Sequence, residues 1–175
     1  MPWQKRRPLA EEDKSCEAAA AREKALDLLT GRDFSCAELY ERLCRGFRRE
    51  TAAGAIAAVQ RMGFLDDEKY AAQKARSLLA QHKSRRAIAD ALRRKGLDKP
   101  VIEDALAALY AAHEENEETA DPETAAALAL ITRRYARKIA EGRQDLVLAA
   151  LARRGFSYTV AKRALCLAAD ETEIA

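Results

Sequence analysis

The stretch Ile88-Ala89-Asp90-Ala91-Leu92-Arg93-Arg94-Lys95-Gly96-Leu97-Asp98-Lys99-Pro100-Val101-Ile102-Glu103-Asp104-Ala105-Leu106 carries the unit from which the chain is built. Ile88 and Leu92 share one face of a helix, because residues four apart lie one turn above another. Gly96 follows the last periodic residue, where a helix stop favours glycine. Asp98 and Pro100 then open a second helix, as a cap and a first-turn proline. Leu106 lies nine residues beyond Leu97.

The same register occurs twice more. Leu39, Leu43, Gly46, Phe47 and Ile56 form an earlier copy, and Val147, Leu151, Gly155, Phe156 and Leu165 a later one. The nine-residue interval from the residue after Gly is kept in all three copies. Leu29, Leu79 and Ile139 precede that residue by 18, 18 and 17 positions, so each copy has a preceding helix. One shared Leu-x-x-x-Leu would mean little, but a register held over three helices and three copies marks a tandem repeat. The fold class expected is all-α: three tandem three-helix, helix-turn-helix-like repeats forming an elongated, curved array. Helices are expected over 18–30, 35–45 and 50–62, over 66–81, 84–95 and 98–112, and over 121–140, 143–154 and 157–169. The corresponding organisation is a flexible tail over 1–17, repeats over 18–65, 66–112 and 121–169, an acidic linker over 113–120 and an acidic tail over 170–175.

The local signals agree with this plan. Gly31, Gly46, Gly63, Gly96, Gly142 and Gly155 all fall at ends of apolar-periodic segments. Gly54 falls inside one, where close packing would explain it. Ser35-Cys36-Ala37-Glu38 reads as a capping box, with the hydroxyl and the carboxylate each taking an orphan amide. Asp66 or Asp67, Asp121 and Ser157 are further caps. In Gly63-Phe64-Leu65-Asp66-Asp67-Glu68-Lys69-Tyr70-Ala71, Gly63 permits a turn. Phe64 and Leu65 plug the joint, and the acids face the positive start of the next helix.

Composition bounds the chemistry. Aromatics are only 6% of 175 residues, which suits thin Ala-rich helical layers better than a broad core. The four cysteines (Cys16, Cys36, Cys44, Cys166) and the two histidines (His82, His113) show no ligand spacing. No metal or other cofactor is called for. No phosphate-cradling glycine loop or nucleophile elbow is present, so the chain is expected not to be an enzyme. No stretch reaches the length of a membrane span and the N-terminus lacks an apolar signal core, so a soluble, cytoplasmic protein without membrane contact is expected; a monomer is the expected state.

The net charge of +3 conceals strong sorting. Residues 74–99 hold nine basic side chains against two acidic ones, and 124–169 hold nine against two. Between them, 103–123 hold eight acids and no Lys or Arg. Some cations answer helix dipoles at C-termini. Clustering on the second helices of two copies points further, to phosphate backbones or an acidic protein groove. The candidate contact residues are Lys83, Arg85, Arg86, Arg93, Arg94, Lys95, Arg133, Arg134, Arg137, Lys138, Arg153, Arg154, Lys162 and Arg163. Gly63, Phe64, Leu65, Asp66, Asp67 and Tyr70 form the inter-repeat joint. Tyr70, Tyr110, Tyr135 and Tyr158 fit either a core or a base-stacking role.

Three strings resemble the RecX family of RecA regulators: Gly63 to Ala71, Lys83 to Leu97 and Arg153-Arg154-Gly155-Phe156-Ser157-Tyr158. The resemblance runs from about residue 20 to 168. Ser84 stands where the family usually has Gly, and the acidic segment 113–122 and the Ala-rich third copy are less typical. The resemblance implies a protein that binds the RecA–DNA filament in its groove. It implies damping of filament assembly, ATP hydrolysis, strand exchange and the coprotease role in the SOS response. DNA phosphates are the further partner it allows. A stand-alone DNA-binding helical regulator, or a helical scaffold for another partner, are the alternatives the residues leave open.

Overall fold

The computed structural model describes residues 9–114 and 121–173, and the described residues are helical with one isolated bridge. The first copy comprises α1 (Ala18–Gly31), α2 (Cys36–Leu43) and α3 (Arg49–Arg61). The second comprises α4 (Asp67–Ala80), α5 (Arg85–Arg93) and α6 (Lys99–Glu114). The third comprises α7 (Pro122–Arg134), α8 (Ala136–Ala140), α9 (Gln144–Arg153) and α10 (Tyr158–Glu173). The helix expected over 121–140 is therefore two. It breaks at Tyr135, whose φ of −124° leaves the helical range.

The chain divides into two compact units. Of the described residues, the first holds those up to Tyr70 together with Lys95–Leu97, and the second holds Ala71–Arg94 and those from Asp98 onward. Their edges fall inside the second copy and not at the expected repeat borders. In the first unit, α1 and α3 pack on each other with α2 against both. Ala21, Ala25, Phe34, Leu39, Leu43, Ile56, Val59 and Leu65 form its core. Alanine at 21, 25, 52 and 55 lets the helices approach closely, which is why so few aromatics suffice. In the second unit, α7 packs against α10, and Leu130, Ile131, Val147, Leu151, Phe156 and Leu165 lie at that core. α5 packs on α6 and buries Ile88 and Leu92 completely.

Residues 9–17, expected as loose tail, include a 3-10 turn at Glu11–Asp13. Ser15 N–H donates to the Gly46 carbonyl (3.1 Å) and Arg48 N–H to that of Ser15 (2.9 Å). A Glu11 carboxylate oxygen accepts from Arg49 N–H (2.9 Å), so this segment caps α3, whose own N-cap Arg48 offers no acceptor. Of the linker expected over 113–120, residues 115–120 lie outside the described residues, and of the tail expected over 170–175, residues 174–175 do. Within them, α6 runs through 114 and α10 through 173.

Four of the six turn glycines take a left-handed φ: Gly63, Gly96, Gly142 and Gly155. Gly31 and Gly46 do not, and the α4 stop is made by His82, a non-glycine residue at φ 58°. A Cβ at Gly54 would touch nothing within 4 Å, so close packing does not explain that glycine. At the Gly63–Ala71 string, Leu65 is buried as a plug, but Phe64 is 58% exposed and plugs nothing. Asp66 caps α4 through the amides of Glu68 (3.0 Å) and Lys69 (3.1 Å), and those bonds, with Lys69 Nζ, hold its carboxyl below the ordinary value.

Candidate functional site

Two joints of the same design organise the molecule. Ser35 is fully buried, accepts from Glu38 N–H (3.2 Å) and donates to the Lys95 carbonyl (2.5 Å). Ser84 is fully buried, accepts from Ala87 N–H (3.1 Å) and donates to the Arg154 carbonyl (2.9 Å). Each serine caps the second helix of its copy and grips the Gly turn of the next copy. An acid at the head of the next copy's first helix takes the following amide. Asp67 accepts from Cys36 N–H (2.8 Å), and Glu123 from Arg85 N–H (3.0 Å). Gly96 and Gly155 are required there: a Cβ at 96 would collide with Ala37, and one at 155 would sit 2.8 Å from Ser84 Oγ. The third copy has Arg143 in place of the serine, with no side-chain cap bond.

The Ser35 capping box is thus only half present. The Glu38 carboxylate does not return to its own helix. It accepts from Lys95 Nζ (2.5 Å) and from the Tyr70 hydroxyl (3.1 Å). Burial pushes the Glu38 carboxyl up, but those two bonds outweigh it and hold it below the ordinary value. Burial, then the Glu38 charge, pushes the Tyr70 hydroxyl up to about 12. Lys95, expected as a contact cation, is committed to this half-buried pair and is a joint residue instead. Cys36 is pushed up to about 12 by burial and then by Asp67, which keeps it a thiol.

The second joint gathers the basic residues. Along α5, positions 86, 90 and 94 form one stripe, on the face away from the buried Ile88 and Leu92, and 85, 89 and 93 a second, between that stripe and the buried pair. The Ser84 bond brings the Arg153-Arg154-Gly155 turn against the first stripe. A cleft of about 360 Å³ is lined there by Arg86, Arg94, Arg153 and Arg154, with Asp90 and Gly155. The second stripe opens onto a cleft of about 450 Å³ that shares Arg86 and Gly155. Arg85, Arg93 and Lys99 rim it; Ala89, Ile102 and Leu106 supply an apolar floor; Glu103 and Glu123 are its acids. A third concavity, of about 250 Å³, adds Lys83 and Arg134 beside Arg154.

These side chains differ in how far they are already engaged. Arg93 pairs with Asp90 (2.6 Å), and Arg85 lies 5.1 Å from the centre of the Tyr110 ring. Arg154 and Lys138 flank the Tyr135 ring at 5.8 and 5.6 Å. Arg137 pairs with Glu141 (2.8 Å). Arg86, Arg94 and Arg153 are exposed and pair with no carboxylate among the described residues. Arg133, Lys162 and Arg163 are exposed and line none of these clefts. Of the tyrosines, Tyr70 and Tyr110 are buried and Tyr135 half-buried, whereas Tyr158 is 67% exposed. Burial pushes Glu123 up, and the amide of Arg85 offsets this only in part. Sequence reasoning missed Lys99, Glu123 and the apolar floor; the spacing of Lys99 and Glu103 at i, i+4 on one face of α6 was the available signal.

Residues 66–106 match the family described as RecX, second three-helix domain. A regulatory protein RecX of Mycolicibacterium vanbaalenii is 34% identical over 167 residues, spanning 87% of this chain and 84% of that protein. The chain belongs to the RecX family. A second RecX relative, from Myxococcus xanthus, is 40% identical over 110 residues, 63% of this chain and 58% of that protein. The crystal structure of RecX from Lactobacillus salivarius superposes with a TM-score of 0.73 at 20% identity, covering 86% of this chain and 96% of that one. Another crystal structure of a regulatory protein RecX gives 0.70 at 23% identity, over 83% and 70%. At those identities the two structures speak to the fold alone, an all-helical one with tandem three-helix repeats, as the register implied. No helix among the described residues is long and apolar enough to cross a membrane.

Proposed function

We propose that this RecX-family chain regulates the RecA recombinase by binding the RecA–DNA filament and damping its growth, ATP hydrolysis, strand exchange and coprotease activity. It acts in the cytoplasm as a monomer and catalyses no reaction itself. The observation that carries the reading is the convergence of Arg86, Arg94, Arg153 and Arg154 around one cleft. Four guanidiniums held by a buried joint, opposed by one carboxylate, form a rigid polyanion-binding face. Both components of such a filament offer anions to it, as carboxylates or phosphates. Binding is therefore salt-sensitive.

The test is a titration into RecA hydrolysing ATP on single-stranded DNA. Suppression is expected at well under one molecule per RecA. Arg86→Glu/Arg153→Glu abolishes it, while Arg133→Glu/Lys162→Glu, outside the clefts, retains it. Undiminished hydrolysis at low salt with folded protein refutes the function. Equal potency of the two double variants refutes the face.

A further inference from the structure

We infer that the two clefts meeting at Arg86 and Gly155 bind a single nucleic-acid strand, a base entering the apolar-floored cleft and the neighbouring phosphates lying on the arginine-lined one. This rests on the reading of the same face as the functional one, and names what it touches.

The two clefts differ in chemistry. The arginine-lined cleft has almost no apolar surface to offer and suits a phosphodiester. The other, about 450 Å³, is floored by Ala89, Ile102 and Leu106 and rimmed by cations. That volume lies within the ~300–1,000 Å³ of small-ligand sites. An apolar floor beside a cationic rim matches one nucleotide: a flat ring and the charge next to it. Gly155, without a Cβ, lines both clefts at their seam.

A duplex keeps its bases stacked inside and shows phosphates outward, so it uses the arginine cleft and leaves the apolar floor in water. An acidic peptide meets Glu103 and Glu123 in the second cleft, which repel carboxylates but accept hydrogen bonds from the amino groups of bases. Tyr158, the exposed tyrosine, follows Ser157, which lines the same cleft. Its ring provides a stacking face for the next base.

The experiment is fluorescence anisotropy, without RecA, of a labelled deoxycytidine oligonucleotide and of a hairpin duplex at one salt concentration. The single strand is expected to bind more tightly than the hairpin. Arg86→Ala/Arg153→Ala weakens both. Ala89→Met, which fills the cleft without altering charge, and Tyr158→Ala, at an exposed position, each weaken the single strand by about tenfold and leave the hairpin unchanged. The site is overturned if both variants bind the strand as the unmodified chain does, if the hairpin binds as tightly, or if polyglutamate competes as well as the oligonucleotide. Circular dichroism checks the fold, and Tyr158→Ala decides the matter should Ala89→Met unfold. Unaltered strand binding by both variants, with RecA inhibition still abolished by Arg86→Glu/Arg153→Glu, removes this site and leaves the regulator. Selective strand binding without any effect on RecA hydrolysis does the reverse.

Discussion

Replacing Ser84 by alanine tests the joint on which the basic face depends. The hydroxyl is fully buried and makes two bonds, one accepted from Ala87 N–H (3.1 Å) and one donated to the Arg154 carbonyl (2.9 Å). Losing an N-cap costs about 1 kcal/mol. Losing the second bond adds about 1 kcal/mol, because the carbonyl of Arg154 is left without its partner. Ser84→Ala should therefore cost about 2 kcal/mol in all. Ser157 provides the internal control. It caps α10 through Val160 N–H (3.2 Å), is exposed, and its hydroxyl has no second bond among the described residues. Ser157→Ala should cost about 1 kcal/mol, the cap alone.

Urea unfolding followed by helical circular dichroism measures both variants. With a slope of about 1–3 kcal/mol per molar urea, the Ser84→Ala midpoint falls by roughly 1 M and the Ser157→Ala midpoint by about half that. Ser35→Ala, at the equivalent joint, should match Ser84→Ala. Equal midpoints for Ser84→Ala and Ser157→Ala would refute the reasoning, since the bond to Arg154 would then contribute nothing.

Gly96 and Gly63 have nearly the same φ, 76° and 77°, but a Cβ meets Ala37 at the first and open space at the second. Gly63→Ala should cost only left-handed strain, about 1 kcal/mol, and Gly96→Ala distinctly more by the same urea assay. Glu38 and Glu123 should respond to amidation with opposite signs. Glu38 titrates below its ordinary 4.5, so it stabilises the fold above that pH and loses the contribution as pH falls through the lower folded value. Glu123 titrates above 4.5, so ionising it destabilises the fold as pH rises through the raised value. Melting curves at neutral pH should show Glu38→Gln lowered, with a flattened acid limb, and Glu123→Gln raised; shifts in one direction would contradict the assignment.

The helices were legible because each copy writes the same period and the same glycine stop. The break at Tyr135 was not. It has no Gly or Pro beside it, and the backbone bonds on either side persist, from Tyr135 N–H to Ile131 (2.8 Å) and from Ile139 N–H to Tyr135 (3.1 Å). The α4 stop at His82 was equally silent, as a left-handed turn at a residue that rarely adopts one. At the site, Arg85-Arg86, Arg93-Arg94 and Arg153-Arg154 were legible as charge. Which of them face one another was not, because that depends on a bond between residues 84 and 154. Lys95 shows the limit most clearly. In sequence it continues the run Arg93-Arg94-Lys95, yet one step along the turn carries it to Glu38 in the first unit.

The two joints also explain why similar turns came to carry different chemistry. In both, a buried serine holds the carbonyl just before a left-handed glycine. At the first joint the side chain on that carbonyl's residue is Lys95, and a carboxylate stands within reach on α2 at Glu38. The equivalent position at the second joint, three residues after Ser84, offers no such acid: it is Ala87, beside the buried Ile88. The same backbone geometry thus neutralises its cation in the first unit and leaves Arg86, Arg153 and Arg154 together in the second. Like charges brought that close repel one another, and a fixed joint holds them there only because the buried serine bonds and the α7–α10 core resist their separation. An anion placed among them relieves the repulsion, so binding should tighten the second unit more than the first.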